Sequence, residues 1–289
     1  MRVRPRRDVH GSAVVPPTRQ AGHNTPVSID LQPPRDPVPE PAVHFAPATF
    51  PWLDDGPPPR LDAGAVHVWH VALDASRPID DTVLDAGERA RAERFVHAAD
   101  RARWVGARVA LRAILARYSG VAPAALAFAH EPLGRPRLAG PHAALGFNLS
   151  HGRCCALVAV AVGGVVGVDV ECRGPGPDAL AIARDVFDEA EARVLAALPD
   201  TATRDMAFRR AWCCKEAWLK AHGVGLTVPL ATVPVRDDGD GGCVLADHDA
   251  TRSVGRWTGA LLSTPGTACT GALVVAGAGR RITGARWRT

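Results

Sequence analysis

The sequence predicts an α+β fold with largely antiparallel strand pairing. Two observations lead to this class. Helical and strand patterns are mixed along the chain, without the regular strand–helix alternation of a doubly wound parallel sheet. Two strong strand patterns also flank the pair Gly163–Gly164, an arrangement typical of a hairpin. The chain has 289 residues, 47% apolar and 22% charged, which is the composition of an ordinary globular protein.

Residues 1–60 differ in composition from the rest of the chain. They contain 14 of the 25 prolines and few periodic apolar positions, so we expect a disordered or loosely packed extension. The pair Arg6–Arg7 is not followed by the apolar run of an export signal, and no segment is long enough to span a membrane. We therefore expect a cytoplasmic protein that does not act at a membrane.

Folded elements are predicted from Val66 onward. VHVWHVAL alternates like a half-buried strand, and Asp80–Asp81 is expected to cap a helix running towards Phe95. A second helix is predicted from Asp100 to Gly120, with an apolar stripe on one side and several arginines around it. Later patterns predict helices at 178–198 and 203–222 and weaker strands at 226–236, 243–247, 256–262 and 268–276.

Composition narrows the range of functions. The net charge of +4 suits an anionic ligand but is not the clustered basic stripe of a nucleic-acid binder, so no nucleic acid is expected. The seven cysteines show no CxxC spacing, which indicates neither a zinc site nor a disulfide framework. No GxGxxG or Walker pattern occurs.

The stretch GVDVE carries two carboxylates on one predicted strand. Asp169 and Glu171 are two residues apart, so both side chains point from the same face of the sheet. Neighbouring carboxylates repel each other unless a proton or cation relieves them, and such oxygen ligands suit Mg²⁺. The alternative is a polar strand face that contacts solvent or nearby arginines.

The stretch WCCKEAWLKAHG places charges in an otherwise apolar helix. Glu216 and Lys220 have the spacing of a surface ion pair, which contributes only about 0.2–0.5 kcal/mol. Trp212 and Trp218 nevertheless cover much of the helix perimeter, which leaves a narrow charged strip. A strip with one carboxylate and the amines of Lys215 and Lys220 suits a metal–phosphate assembly.

A third motif is NLSH. Ser150 and His151 are a poor hydrolase signal, since no GxSxG elbow is present, and such a histidine is more often structural. Together with Arg135 in the stretch GRP, they would offer donors to a phosphate-bearing ligand.

These three motifs, FNLSH, GVDVE and WCCKEAWLKAHGVGL, resemble those of the 4′-phosphopantetheinyl transferases, in particular the larger single-chain class that acts on carrier domains of peptide and polyketide synthases. The resemblance extends from about Glu88 to Leu226. It implies transfer of the phosphopantetheine arm of coenzyme A to a serine of an apo carrier protein, leaving adenosine 3′,5′-bisphosphate. It also implies a monomer of two similar α+β halves, residues 61–166 and 167–289, with coenzyme A in the cleft between them.

The resemblance also implies roles for individual residues. Asp169, Glu171 and Glu216 match the magnesium-binding carboxylates, and Glu216 would help to deprotonate the attacking serine, directly or through a metal-bound water. Lys220 matches a catalytic lysine that contacts the pyrophosphate, with Lys215 beside it.

Other matches concern the nucleotide. Ser150 and His151 would lie at its phosphates, Arg135 near the adenosine 3′-phosphate or base, and Arg91 and Arg103 near the 3′-phosphate. Glu88 departs from the pattern, because some members have a lysine there.

Two other functions remain open from the sequence. One is a non-catalytic module that binds coenzyme A or a carrier protein. The other is a different Mg²⁺-dependent enzyme of phosphoryl transfer or phosphodiester cleavage, which would use the same charges on another substrate.

Overall fold

The computed structural model describes residues 43–48, 52–53, 60–172, 178–233, 235–237, 242–245 and 257–288. The helices in these ranges are α1 Ala86–Ala92, α2 Ala98–Ser119, α3 Ala179–Val186, α4 Glu189–Ala196 and α5 Thr201–His222. The strands are β1 Val43–Pro47, β2 Ala65–Ala72, β3 Phe128–His130, β4 Pro136–Leu138, β5 Leu145–His151, β6 Cys155–Val162, β7 Val166–Cys172, β8 Val235–Asp237, β9 Cys243–Leu245, β10 Trp257–Ser263, β11 Cys269–Ala276 and β12 Arg281–Trp287. A search of these residues for a helix long and apolar enough to cross a membrane finds none.

The strands form two large sheets and one small ribbon. The six-stranded sheet has the order β7-β11-β10-β1-β9-β8, the four-stranded sheet has the order β12-β2-β6-β5, and β3 pairs with β4. Pairing is antiparallel except between β1 and β10 and between β12 and β2. The prediction of an α+β fold with largely antiparallel pairing is confirmed.

The two large sheets stack face to face, with α2 on the outer face of one and α5 on the outer face of the other. Strand β6 shows why its sequence is apolar throughout. Cys155 and Leu157 face the core between the sheets, whereas Ala156 and Val158 face the core beneath α2. A strand that is buried on both faces does not show the alternation of apolar and polar residues that is typical of a half-exposed strand.

Local signals set the helix ends. Both α2 and α5 end at a left-handed glycine, Gly120 (φ 70°) and Gly223 (φ 67°), which releases the chain without the steric cost that a side chain would impose. The expected cap at Asp80–Asp81 is wrong, because Asp85 forms the capping box of α1 with Glu88. Helix α2 begins after His97 rather than at Asp100.

The expected hairpin at Gly163–Gly164 is also wrong. Strands β6 and β7, on either side of this pair, lie in different sheets: β6 pairs with β2 and β5, and β7 pairs with β11. The glycines therefore carry the chain from one sheet to the other. The helical pattern at 178–198 forms two short helices, and the strand pattern at 226–236 forms two 3₁₀ turns followed by β8.

The first and the last strand, β1 and β12, each join a sheet whose other strands come from a distant part of the chain. Strand β1 joins the six-stranded sheet and buries Val43 and Phe45, so the expected extension over residues 1–60 is corrected for this segment, while residues 1–42 lie outside the described ranges. Strand β12, which the sequence reading missed, joins the four-stranded sheet beside β2.

Candidate active site

Helix α5 lies directly against strand β7 at Gly167. A Cβ atom at Gly167 would stand 2.0 Å from the Ala217 carbonyl oxygen and 2.5 Å from the Ala221 amide nitrogen, so only glycine allows this approach. Side chains alternate along a strand, so Asp169 and Glu171 share the face of Gly167 and point to the side of α5. The small residue in GVDVE thus brings its two carboxylates to the charged strip of the helix.

Asp169 is the centre of a buried polar network. Its side chain is 1% exposed, and its Oδ1 accepts hydrogen bonds from Lys220 Nζ at 2.5 Å and from Ser150 Oγ at 2.8 Å. Lys220 Nζ also donates to Ser150 Oγ at 3.0 Å. Strand β5 is held beside β7 by Asn148, whose Oδ1 accepts from the Val168 amide at 3.0 Å. The network therefore joins both large sheets to α5.

Two carboxylates of this network, those of Asp169 and Glu216, act on the ammonium of Lys220. Burial and the neighbouring Asp169 charge raise the pKa of Glu171 to about 8. Burial likewise raises the pKa of Glu216, and Asp169 adds to the effect. Burial acts to lower the pKa of Lys220, but the carboxylates of Asp169 and Glu216 outweigh it, so that pKa is raised and the ammonium form is favoured.

The donor set fits a hard divalent cation. Asp169 Oδ2 is buried and has no hydrogen-bond partner among the described residues, so one carboxylate oxygen is left for a ligand. The carboxylate oxygens of Asp169, Glu171 and Glu216 are also the type of ligand that Mg²⁺ prefers. The oxygen atoms of the three carboxylates do not all lie within 4.8 Å of one another. Asp169 Oδ1 instead accepts a hydrogen bond from Lys220 Nζ.

Comparison with known proteins identifies the family. A profile of the 4′-phosphopantetheinyl transferase superfamily matches residues 165–265, which include β7 and α5. The 4′-phosphopantetheinyl transferase HetI of Nostoc sp. is 38% identical over 180 residues, covering 61% of this chain and 76% of that protein.

The chain belongs to the 4′-phosphopantetheinyl transferase family. The motif-based prediction is confirmed, and the chain is an enzyme of this family. A putative 4′-phosphopantetheinyl transferase of Synechocystis sp. is 34% identical over 52% of this chain and 61% of its own length. The transferase Sfp of Bacillus subtilis is 30% identical over 53% of this chain and 66% of its own length. The chain thus spans less than two thirds of these two relatives.

Lys215 does not belong to this transferase's carboxylate network. Its ammonium is fully buried and donates to Glu191 Oε2 at 2.7 Å and to the Leu230 carbonyl at 2.9 Å. It also lies 4.5 Å from the centre of the Phe187 ring. The expectation that Lys215 binds the ligand is therefore corrected: adjacent residues of a helix point in different directions, and Lys215 points to α4.

Arg135 of the transferase lies at the C-terminal end of α5. Its Nη1 donates to the Ala221 carbonyl at 2.7 Å, at the C-terminal end of α5, and its Cδ is 3.2 Å from where a Cβ on Gly223 would stand. His151 is half-buried at the end of β5, directly after Ser150. The structure thus brings Ser150 and Lys220 together with Asp169. It places Arg135 against the backbone carbonyls of Ala221 and Val166.

The other predicted arginines have local contacts in α1 and α2. The Arg91 guanidinium is 5.7 Å from the centre of the Trp104 ring, and Arg103 forms an ion pair with Asp100 at 2.8 Å. Glu88, where some family members have lysine, is buried and paired with Arg108 and Arg112. It therefore has a structural contact in this chain.

Sequence reasoning missed Asn148 and Glu191. Asn148 stands two residues before Ser150, so the period-2 alternation of FNLSH could have placed both on one face. Glu191 had no comparable signal. It is 24 positions from its partner Lys215, on a different helix.

Proposed function

We propose that this chain catalyses the Mg²⁺-dependent transfer of the 4′-phosphopantetheine arm of coenzyme A to a serine hydroxyl of an apo carrier protein. The other product is adenosine 3′,5′-bisphosphate. The observation that carries the proposal is the Lys220–Asp169–Ser150 network, flanked by Glu171 and Glu216 and contained in a family-matched segment.

Lys220 is the proposed contact for the pyrophosphate of coenzyme A. Its ammonium is held by Asp169 and Ser150 at the point where both sheets meet α5. A fixed ammonium stabilises the charge that develops on phosphate oxygens as the serine oxygen attacks the β-phosphorus. Ser150 already donates to Asp169, so its hydroxyl can turn to a phosphate oxygen only by giving up that bond.

Asp169, Glu171 and Glu216 are the proposed ligands of Mg²⁺. The unpartnered Asp169 Oδ2 supports this assignment, and so do the raised pKa values of Glu171 and Glu216, which arise from burial and from the neighbouring Asp169 charge. When bound, Mg²⁺ would neutralise pyrophosphate oxygens and orient the reacting phosphate.

Glu216 is the proposed base. Its carboxylate is a suitable general base because it lies in the buried network beside Lys220 and Asp169. It would accept the proton of the carrier serine, directly or through a water molecule, as the oxygen–phosphorus bond forms. The bond between the β-phosphorus and the bridging oxygen then breaks, and the electron pair leaves with adenosine 3′,5′-bisphosphate.

The remaining assignments rest on the resemblance of the motifs to those of the family. We retain His151 and Arg135 for the nucleotide, and Arg91 and Arg103 for its 3′-phosphate, and we leave Lys215 out.

Two α+β halves divided before Gly167 also remain part of the proposal. The recurring antiparallel orders β2-β6-β5 and β7-β11-β10, each beside a long helix, support it, although β1 and β12 cross between the sheets. The cytoplasmic location, the monomeric state and the absence of a nucleic-acid partner stay predictions.

The test is mass spectrometry of an unmodified carrier protein incubated with this chain, coenzyme A and Mg²⁺. We expect the carrier to gain one phosphopantetheine on a serine, and the gain to vanish with EDTA and return with excess Mg²⁺. Coenzyme A binding without any gain across several peptidyl and acyl carrier proteins would contradict the proposal and favour a non-catalytic binding module.

A further inference from the structure

Four of the seven cysteines meet at one point of the fold, although the sequence spacing indicated no thiol site. The ligand atoms of this four-thiol cluster all lie within 4.8 Å of one another. Its members are Cys154, Cys155, Cys172 and Cys269. The cluster is outside the carboxylate network and has no part in the proposed transfer chemistry.

The cluster joins the two large sheets. Cys154 and Cys155 stand at the start of β6 in the four-stranded sheet, whereas Cys172 ends β7 and Cys269 begins β11 in the six-stranded sheet. Cys172 and Cys269 are directly opposite each other in the antiparallel pair. Convergence of three separate strands explains why no CxxC pattern was visible.

The sulfur distances match those of a tetrahedral metal site. Cys154 Sγ lies 3.2 Å from Cys269 Sγ, and Cys155 Sγ lies 3.9 Å from Cys172 Sγ. Zn–S bonds of about 2.3 Å in tetrahedral geometry place sulfur atoms about 3.8 Å apart. The two distances lie on either side of that value, and the remaining sulfur pairs lie within 4.8 Å.

The surroundings also suit a charged thiolate site. His70, on the neighbouring strand β2, is 5% exposed and its Nε2 is buried without a hydrogen-bond partner among the described residues. It interacts electrostatically with Cys172. His70 Nε2 makes no hydrogen bond to the sulfurs in this structure, but a buried imidazole near a metal-bound thiolate is a suitable outer donor, and such outer contacts are usual around thiolate sites. Cys154 is only half-buried, which leaves the cluster a side open to an entering ion.

We propose that the four-thiol cluster binds one thiophilic divalent cation, Zn²⁺, as a structural site. Four S–H groups release their protons to solvent, four Zn–S bonds form, and the ion loses its bound waters, so binding weakens as the pH falls. The ion would fasten the start of β6 to the ends of β7 and β11. Because Cys172 directly follows Glu171, it would also fix the strand that carries the proposed magnesium ligands.

The primary test uses the unaltered full chain, reduced with a phosphine and purified without chelator. We expect one Zn²⁺ per chain by mass spectrometric metal analysis after dialysis against Zn²⁺ and then against metal-free buffer. Replacement by Co²⁺ should give the thiolate-to-cobalt charge-transfer band and the intense visible bands of a tetrahedral sulfur site. A reduced chain that retains no Zn²⁺, or a Co²⁺ complex without the charge-transfer band, would overturn the proposal.

Variants locate the site. Cys269→Ser should abolish the charge-transfer band, whereas Cys243→Ser, a buried cysteine outside the cluster, should preserve it. Asp169→Asn should also preserve it, which separates this site from the carboxylate network. A band that survives Cys269→Ser and disappears with Asp169→Asn would contradict the assignment.

Counting the free thiols tests whether the four cysteines form disulfides instead of a metal site. Alkylation under denaturing conditions, without prior reduction, should label all seven cysteines once the metal is removed. Two or four unlabelled cysteines in metal-free protein would show disulfides in place of a metal site.

Discussion

Helices α2 and α5 are both 22 residues long, both end at a left-handed glycine, and both bury charged side chains. Their charges are balanced differently. On α2, the fully buried Arg112 donates to Glu88 at 2.6 Å, to Asp85 at 2.7 Å and to two main-chain carbonyls, and Arg108 shares Glu88. Two guanidinium groups thus face two carboxylates.

On α5, two carboxylates, those of Asp169 and Glu216, share the ammonium of Lys220, and one oxygen of Asp169 has no hydrogen-bond partner among the described residues. The comparison teaches that burial of charge does not by itself mark a functional site. In a balanced network such as that of α2, each buried charge has an oppositely charged partner within the protein. A buried network with more carboxylates than cations and an unpartnered oxygen atom requires a ligand.

Breaking the balanced network should have the largest effect on stability. Arg112→Met leaves the buried Glu88 with Arg108 as its remaining cation and removes the arginine partner of Asp85, and loss of one member of a buried pair costs about 3–5 kcal/mol. Chemical denaturation should show this decrease in the free energy of unfolding. Arg101→Met, at an exposed and looser ion pair, is the control and should change stability little. Equal losses in the two variants would contradict the structural role of the α2 network.

The same reasoning separates the two lysines of α5. Lys215→Met should lower the free energy of unfolding by about 3 kcal/mol because it leaves Glu191 unpaired, while kcat/KM for coenzyme A per folded molecule stays near that of the unaltered chain. Lys220→Met should instead lower kcat/KM. A large decrease of kcat/KM in Lys215→Met at temperatures where it is fully folded would return this residue to the site.

Removing one carboxylate from the unbalanced network should affect catalysis rather than folding. Glu216→Gln removes a proposed metal ligand and base, so we expect a decrease in transfer rate of about 100-fold or more. The melting temperature should stay the same or rise, because the partly buried, ionised carboxylate of Glu216 destabilises the folded state, as its raised pKa indicates. Glu189→Gln, an exposed change on α4, is the matched control. Unchanged transfer in Glu216→Gln would remove this residue from the mechanism.

The pH dependence of stability reports on the Glu171 carboxylate. The folded-state pKa of Glu171, about 8, lies above its ordinary value of 4.5, so the folded state holds its proton more tightly than the unfolded state does. This contribution to stability is complete below pH 4.5 and is lost as the pH rises through 8. Melting temperatures of the metal-free protein should therefore decrease across this window, and Glu171→Gln should flatten the decrease. An equal decrease of the melting temperature with pH in both proteins would contradict the raised pKa of Glu171.

How much the sequence revealed depends on how local each feature is. The end of α2 was predicted because Gly120 carries the signal itself, and the end of α5 was predicted from the helical pattern at 203–222. The face shared by Asp169 and Glu171 follows from strand alternation alone. The partner of Lys215 could not be predicted, since Glu191 lies on another helix.

Long-range pairing explains the other errors. The hairpin expected at Gly163–Gly164 competes with the pairing of β7 to β11, about a hundred residues later, and that pairing decides which sheet β7 joins. The four-thiol cluster was invisible for the same reason, because its members come from separate strands.

The most direct measurement is calorimetric titration of Mg²⁺ into the protein saturated with coenzyme A, performed with the unaltered chain and with Asp169→Asn. Asp169→Asn keeps the shape of the side chain but removes one charge from the excess. We expect one Mg²⁺ to bind the unaltered chain and binding to weaken beyond detection in the variant. Equal Mg²⁺ binding by both proteins would contradict the claim that the uncompensated carboxylates of β7 and α5 form the cation site.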